Sequence, residues 1–243
     1  MTQSKTRAGR PAGAKKLLVW DLPTRLFHWA LVGLIAFSYA TAELDVGSME
    51  LHTYSGFAIL ALIIFRIAWG FLGPRNARFF AFLRPLSETL AYARDLARGR
   101  EKQYPGHNPL GALSVIALLT AIGLQVLTGL FADDDILTQG PLSVLISPGL
   151  RDEFTDLHEN IFNVVVALIA LHLLAVAFHS FVKREPLIRA MITGRKPAGS
   201  QTQDGPAAKA GPGIVVTLWG LVLLAAAAAA AYAIVEVLPG ALS

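Results

Sequence analysis

The run LHENIFNVVVALIALHLLAVAFHSFV, Leu157 to Val182, constrains this chain more than any other stretch. As a helix it is long enough to cross a hydrocarbon layer of about 30 Å, yet it carries His158, His172 and His179 in apolar company. Ionisable side chains are costly at that depth and are kept where a function requires them. The step from His158 to His172 is close to a whole number of helical turns. At about 100° per residue it returns to nearly the same helix face after roughly 21 Å of rise. One stripe therefore offers two imidazoles at two depths. That points to two groups stacked across a membrane, each needing a further axial ligand from another helix.

Hydrophobic residues make up 54% of the 243 positions, and five segments, roughly 22–42, 51–73, 109–131, 157–182 and 213–238, are long and apolar enough to span. Backbone groups in lipid must be satisfied internally, so each segment is expected to be a helix. The chain has no cysteine, which excludes disulfides, thiolate-bound zinc, iron–sulfur clusters and cysteine-attached haem. Nothing in the pattern points to a nucleic acid. Nearly all of the 21 Lys and Arg residues lie before the first segment, between the second and third, or between the fourth and fifth. Basic loops stay cytoplasmic, so the amino terminus is expected inside and the carboxyl terminus in the periplasm. The opposite loops carry Glu43, Asp45, Glu50, Asp133, Asp134, Asp135, Asp152, Glu153 and Asp156. These acids suit a partner with a basic patch, or equally a solvated loop. Ala40-Thr41-Ala42 resembles a signal-peptide cleavage site, but a histidine inside a discarded peptide makes little sense.

That histidine is His28, within VWDLPTRLFHW at the start of the first span. The second span opens at LHTYSG with His52, and Arg66 follows on the same face at the spacing that separates His158 from His172. Gly56, one turn below His52, leaves room for something bulky. Measured from the outer surface, His52 and His158 form one level, beside Glu50 and Asp156. His28 and His172 form a second level roughly 21 Å deeper. Two bis-histidine sites on three helices are the arrangement expected for two b-type haems. Buried haem propionates need cationic partners, and Arg66 and Arg25 stand level with the inner pair. The alternative for Arg66 is snorkelling to the inner interface. His179, further along the stripe of His172 and nearer the cytoplasm, competes with it as the inner ligand. The sharper charge boundary at the outer edge favours His172.

The expected organisation is a basic cytoplasmic tail (1–16), a four-helix haem domain (17–196), a flexible linker (197–212) and an additional transmembrane helix (213–243). That fifth helix reads as an appendage. An amphipathic stretch, Leu86 to Leu96, is expected on the membrane surface. The third span lacks a histidine and reads as packing, and His107 just before it reads as a capping or surface residue.

RLFHW, LHTYSG, GHNPLGALSV, the LHE and ALH that hold His158 and His172, and MITGRK together resemble the bacterial cytochrome b561 family, which includes the cytochrome b subunits of nickel–iron hydrogenases. The resemblance covers roughly residues 17–196. It implies an all-α membrane protein: a four-transmembrane-helix di-haem bundle, here with a fifth C-terminal transmembrane helix. It also implies membrane electron transfer, with quinone or quinol exchanging near the inner haem. The axial roles it implies fall on His28, His52, His158 and His172. The fifth helix and its linker depart from the family pattern, so the resemblance does not make the chain a hydrogenase subunit.

The expectation is a di-haem b cytochrome of the bacterial inner membrane and respiratory chain. It would relay electrons between quinone and a periplasmic cytochrome or oxidoreductase, by itself or as that enzyme's quinone-reactive subunit. A quinone pocket is expected near Arg25, His179 and the inner loop, with His179 as a proton carrier. Two rivals are a transporter whose histidines bind a metal ion or relay protons, and an anchor that docks a periplasmic enzyme.

Overall fold

The computed structural model describes residues 16–44, 46–104, 106–133, 138–197 and 213–242. The basic tail up to residue 15, the linker at 198–212, and Asp45, Asp134 and Asp135 lie outside these described residues. Five helices are long and apolar enough to cross a membrane.

Helix α1, Leu22–Glu43, starts where Asp21 accepts a hydrogen bond from the backbone N–H of Thr24 (2.8 Å), with Pro23 in the first turn. Helix α2, Met49–Leu72, is capped by Ser48 and stops at Gly73. A short α3, Phe79–Phe82, and an amphipathic α4, Leu86–Ala97, fill the loop before the third span. Helix α5, Pro109–Gly129, is capped by Asn108, whose Oδ1 accepts from the N–H of Gly111 at 2.7 Å. Helix α6 runs from Pro148 to Ala177 and widens into a π turn, Phe178–Val182. It starts well before Leu157, where the span was expected to begin. The added turns carry Arg151, Asp152, Glu153 and Asp156, which hydropathy rejects but a solvated helix end accepts.

After α7, Leu187–Thr193, Gly194 takes a left-handed conformation (φ 77°), where an added Cβ would meet the Trp20 carbonyl at 2.6 Å. Its own carbonyl accepts from the N–H groups of Val19 (2.8 Å) and Trp20 (3.1 Å). Strand β2, Arg195–Pro197, then pairs antiparallel with β1, Lys16–Leu18. This small clasp joins the entry to α1 with the exit from α7, and the sequence reading has no counterpart for it. The fifth span is α8, Gly213–Tyr232, continuing through a π turn, Ala233–Val237, into α9, Leu238–Leu242.

The helices pack as two hairpins, α1 with α2 and α5 with α6, joined where α2 lies against α5. Helix α2 is central and the most buried of the five. Its Ile59, Leu60, Ile63, Phe65 and Trp69 form the core with Phe27 and Leu31 of α1, and with Ile122 and Val126 of α5. Between helices in lipid such contact acts through close van der Waals packing, since the tails outside are as apolar as the core. Trp69 is fully buried, and its indole N–H is shared between Asp21 Oδ1 and Thr24 Oγ1, each at 3.2 Å. The cap of α1 is thereby fastened to the inner end of α2.

Helix α8 is part of this core and not an appendage. It packs along α2, touches α1, and contributes Ala227 and Ala231 to the same cluster. A Cβ at Gly220 would lie 2.5 Å from the Pro23 ring and 3.5 Å from Trp69. Gly220→Leu should therefore force α8 off the α1–α2 pair. Overpacking of this kind costs about 1–3 kcal/mol, so the thermal unfolding midpoint in detergent should fall. An unchanged midpoint would mean that α8 is loosely attached.

Candidate functional site

His52 of α2 and His158 of α6 face each other at the outer level, with ring centroids 6.3 Å apart and ring planes at 83°. Each ring is held from behind by the backbone of a neighbouring helix. His52 Nδ1 lies 3.0 Å from the Ser38 carbonyl oxygen and 3.2 Å from Ser38 Oγ, both on α1. His158 Nδ1 lies 2.8 Å from the Gln125 carbonyl oxygen and 3.2 Å from Thr128 Oγ1, both on α5. A carbonyl only accepts, so Nδ1 carries the proton and donates in both rings. That leaves each Nε2 with a free lone pair, the state of a metal-ligating histidine.

The spacing also fits a shared metal ion. Histidine nitrogen binds a first-row metal at about 2 Å, and a ring nitrogen lies roughly 1 Å from its centroid, so two imidazoles on opposite sides of one ion stand about 6 Å apart. Space has been left around the pair. A Cβ at Gly129 would meet His158 Cε1 at 2.9 Å and Nδ1 at 3.2 Å, while nothing lies within 4 Å of a Cβ at Gly56. Ser38, Gln125, Thr128 and Gly129 are absent from the residues singled out in the sequence. The only available hint was hydroxyl and glycine residues inside apolar spans. Helix α5 therefore orients His158 as well as packing.

The inner level is more open. His28 on α1 and His172 on α6 are half-buried and near enough to interact electrostatically, and His28 Nδ1 is buried without a partner among the described residues. The two helices that bear them do not pack closely on each other. They are bridged towards the outside by Tyr39 stacked on Phe162, with centroids 5.9 Å apart. His179 lies in the π turn of α6, buried, with Nδ1 3.0 Å from Glu185 Oε1.

Of the two arginines, Arg66 stays buried at 3% exposure, its guanidinium 4.8 Å above the Phe79 ring and its Nη1 without a partner among the described residues. It does not snorkel to water. Arg25 Nη1 donates to the Ile192 carbonyl at 2.5 Å, and its Nε is left unpaired among the described residues. Arg25 thus clamps α1 to the end of α7, beside the bond from Trp29 Nε1 to the Met191 carbonyl (3.4 Å).

His107 is not a capping residue, a role that Asn108 takes. Its ring sits between Trp20 (4.6 Å between centroids) and Phe82 (4.7 Å). Burial, with the positive charge of Arg66 nearby, lowers its pKa to about 3. Beside this group, the Lys183 ammonium pairs with Glu101 at 2.6 Å, fixing the loop after α4 to the end of α6.

The outer pair and these unpartnered nitrogens fit haem: two imidazoles 6.3 Å apart, each with Nδ1 committed to a carbonyl, and a buried cation, Arg66, whose Nη1 meets no acceptor among the described residues. Among the described residues no three or more histidine or carboxylate side chains gather to hold a metal ion by themselves. A family model described as prokaryotic cytochrome b561 matches residues 19–194, more than two thirds of the chain. No curated protein and no solved structure matches.

Proposed function

This chain belongs to the prokaryotic cytochrome b561 family, and from that premise we propose that it is a di-haem b cytochrome of the bacterial inner membrane. It relays electrons between the quinone pool and a periplasmic redox partner, a cytochrome or an oxidoreductase. The outer histidine pair carries the reading: two imidazoles 6.3 Å apart at 83°, each with Nδ1 committed to a carbonyl of the neighbouring helix. In this reading His52 and His158 hold the outer haem, and His28 and His172 the inner one. The partner carbonyls on His52 and His158 raise ligand basicity and fix the ring planes. Haem supplies one-electron chemistry at iron, tuned by its axial ligands and surroundings.

The protein's own tasks are to hold, insulate and balance charge. The apolar core between the hairpins excludes water. His179, backed by Glu185, stands at the cytoplasmic end as the proton carrier for quinol, which gives up two electrons and two protons on oxidation to quinone. His179 and Arg25, close to the exit of α6, mark the quinone side. The amino terminus is cytoplasmic and the carboxyl terminus periplasmic, as the basic loops require. The alternative, a metal-ion or proton transporter, has less to support it. The outer pair has no third protein ligand among the described residues, whereas haem needs only the two.

In proteoliposomes, quinol should reduce the haem of the purified chain, and His179→Ala should slow that reduction at least about a hundredfold, the low end for loss of a proton-transfer group. No haem reduction by quinol would remove the quinone assignment, and an unaltered rate in the variant would remove the role of His179. Gly129→Ala should displace the His158 ring and lower haem content or alter the spectrum of one haem only. A wild-type spectrum in that variant would contradict the outer site.

A further inference from the structure

Buried nitrogens without hydrogen-bond partners gather near the start of α5. Arg66 Nη1 and His107 Nδ1 are both shut off from solvent and unpartnered among the described residues. They belong to one neighbourhood. The Arg66 guanidinium lies over Phe79, Phe79 touches Phe82, and Phe82 packs on His107. Arg66, buried Lys196, His172 and His28 are all within electrostatic reach of His107.

The carboxylates nearby direct their hydrogen bonds to other groups. Asp21 accepts from Thr24 and Trp69, Glu185 pairs with His179, and Glu101 with Lys183. The region is therefore a buried cradle in which Asp21 reaches Arg66 and Glu185 reaches Lys196 only through space, while Arg66 Nη1 and His107 Nδ1 have no hydrogen-bond partner among the described residues, and polar groups buried unpaired are costly. His107 adds a neutral donor, since burial keeps its ring unprotonated at physiological pH. Trp20 and Phe82 on either side fix the plane of that ring.

We propose that His107 and Arg66 together bind a propionate carboxylate of the inner haem, with His107 donating one hydrogen bond and Arg66 supplying the charge. This rests on the di-haem reading above and assigns a role to a residue outside the histidine levels. Both residues are positioning residues: they fix the edge of the cofactor and do not touch the iron.

Resonance Raman spectra of the purified protein, with haem counted in the same sample, test this. His107→Phe should shift the propionate-bending band of one haem and leave the other unchanged, and His107→Gln, which keeps a donor, should restore it. Arg66→Gln should shift the same band, and Arg66→Lys should shift it less. Two bound haems with unshifted bands in His107→Phe and Arg66→Gln would overturn the inference while leaving the di-haem reading intact. The same holds if an anion other than haem fills the cradle. If His107→Phe loses the inner haem, retention in His107→Gln supports the donor role, and equal loss in both overturns it. A wild-type protein without haem would overturn both readings.

Discussion

The bond from each outer imidazole to a backbone carbonyl on the helix beside it is the contact on which the rest of the site depends. His52 leans on Ser38 and His158 on Gln125, so the imidazole of α2 is oriented by α1 and that of α6 by α5. These are the partners within the two hairpins. Each hairpin thus presents one imidazole, already turned and in a defined tautomer, towards the other. A free histidine ring in an apolar span would rotate between wells or seek any acceptor within reach. Tied through Nδ1, it has only Nε2 left to offer.

The central position of α2 follows from the same need. It meets α1 on one side, α5 on another and α8 along a third, and its buried face runs from Ser55 to Gly70. Helix α8 closes the back of this arrangement, brought in tightly because Gly220 offers only hydrogen to the Pro23 ring. Below it, Trp69 links the cap of α1 to α2, and the β1–β2 clasp with Gly194 ties α7 to the start of α1. The end of the bundle that holds the start of α1 is therefore braced by several short polar contacts. Helices α1 and α6, which bear His28 and His172, do not pack closely on each other.

Much of this was legible in the sequence. The five spans stand out because lipid permits only long apolar helices, and the structure has a helix at each, with α6 alone starting well ahead of its expected bound. The repeated spacing on α2 and α6 is helical geometry, and it put His52 and His158 at one level before their contact was known. What orients the histidines could not be read. The acceptors are mainly carbonyls of Ser38 and Gln125, and a backbone carbonyl has no sequence signature. The role of His107 was hidden because its partners, Trp20 and Phe82, are remote in the chain. The β1–β2 clasp pairs two very short segments, one before the first span and one after the fourth, so no local pattern announces it. The early start of α6 was masked by its charges, which mark a helix leaving the lipid.

The central claim is that the four histidines form two levels, each holding one haem b. Its most direct test counts haem per chain by pyridine haemochrome in the purified wild type and in single alanine variants at His28 and His52. The account predicts two haems in the wild type and one in each variant, the survivors differing in spectrum or potential. One haem in the wild type, or a variant that keeps both, would contradict the two-level arrangement, and no haem at all would contradict the whole account.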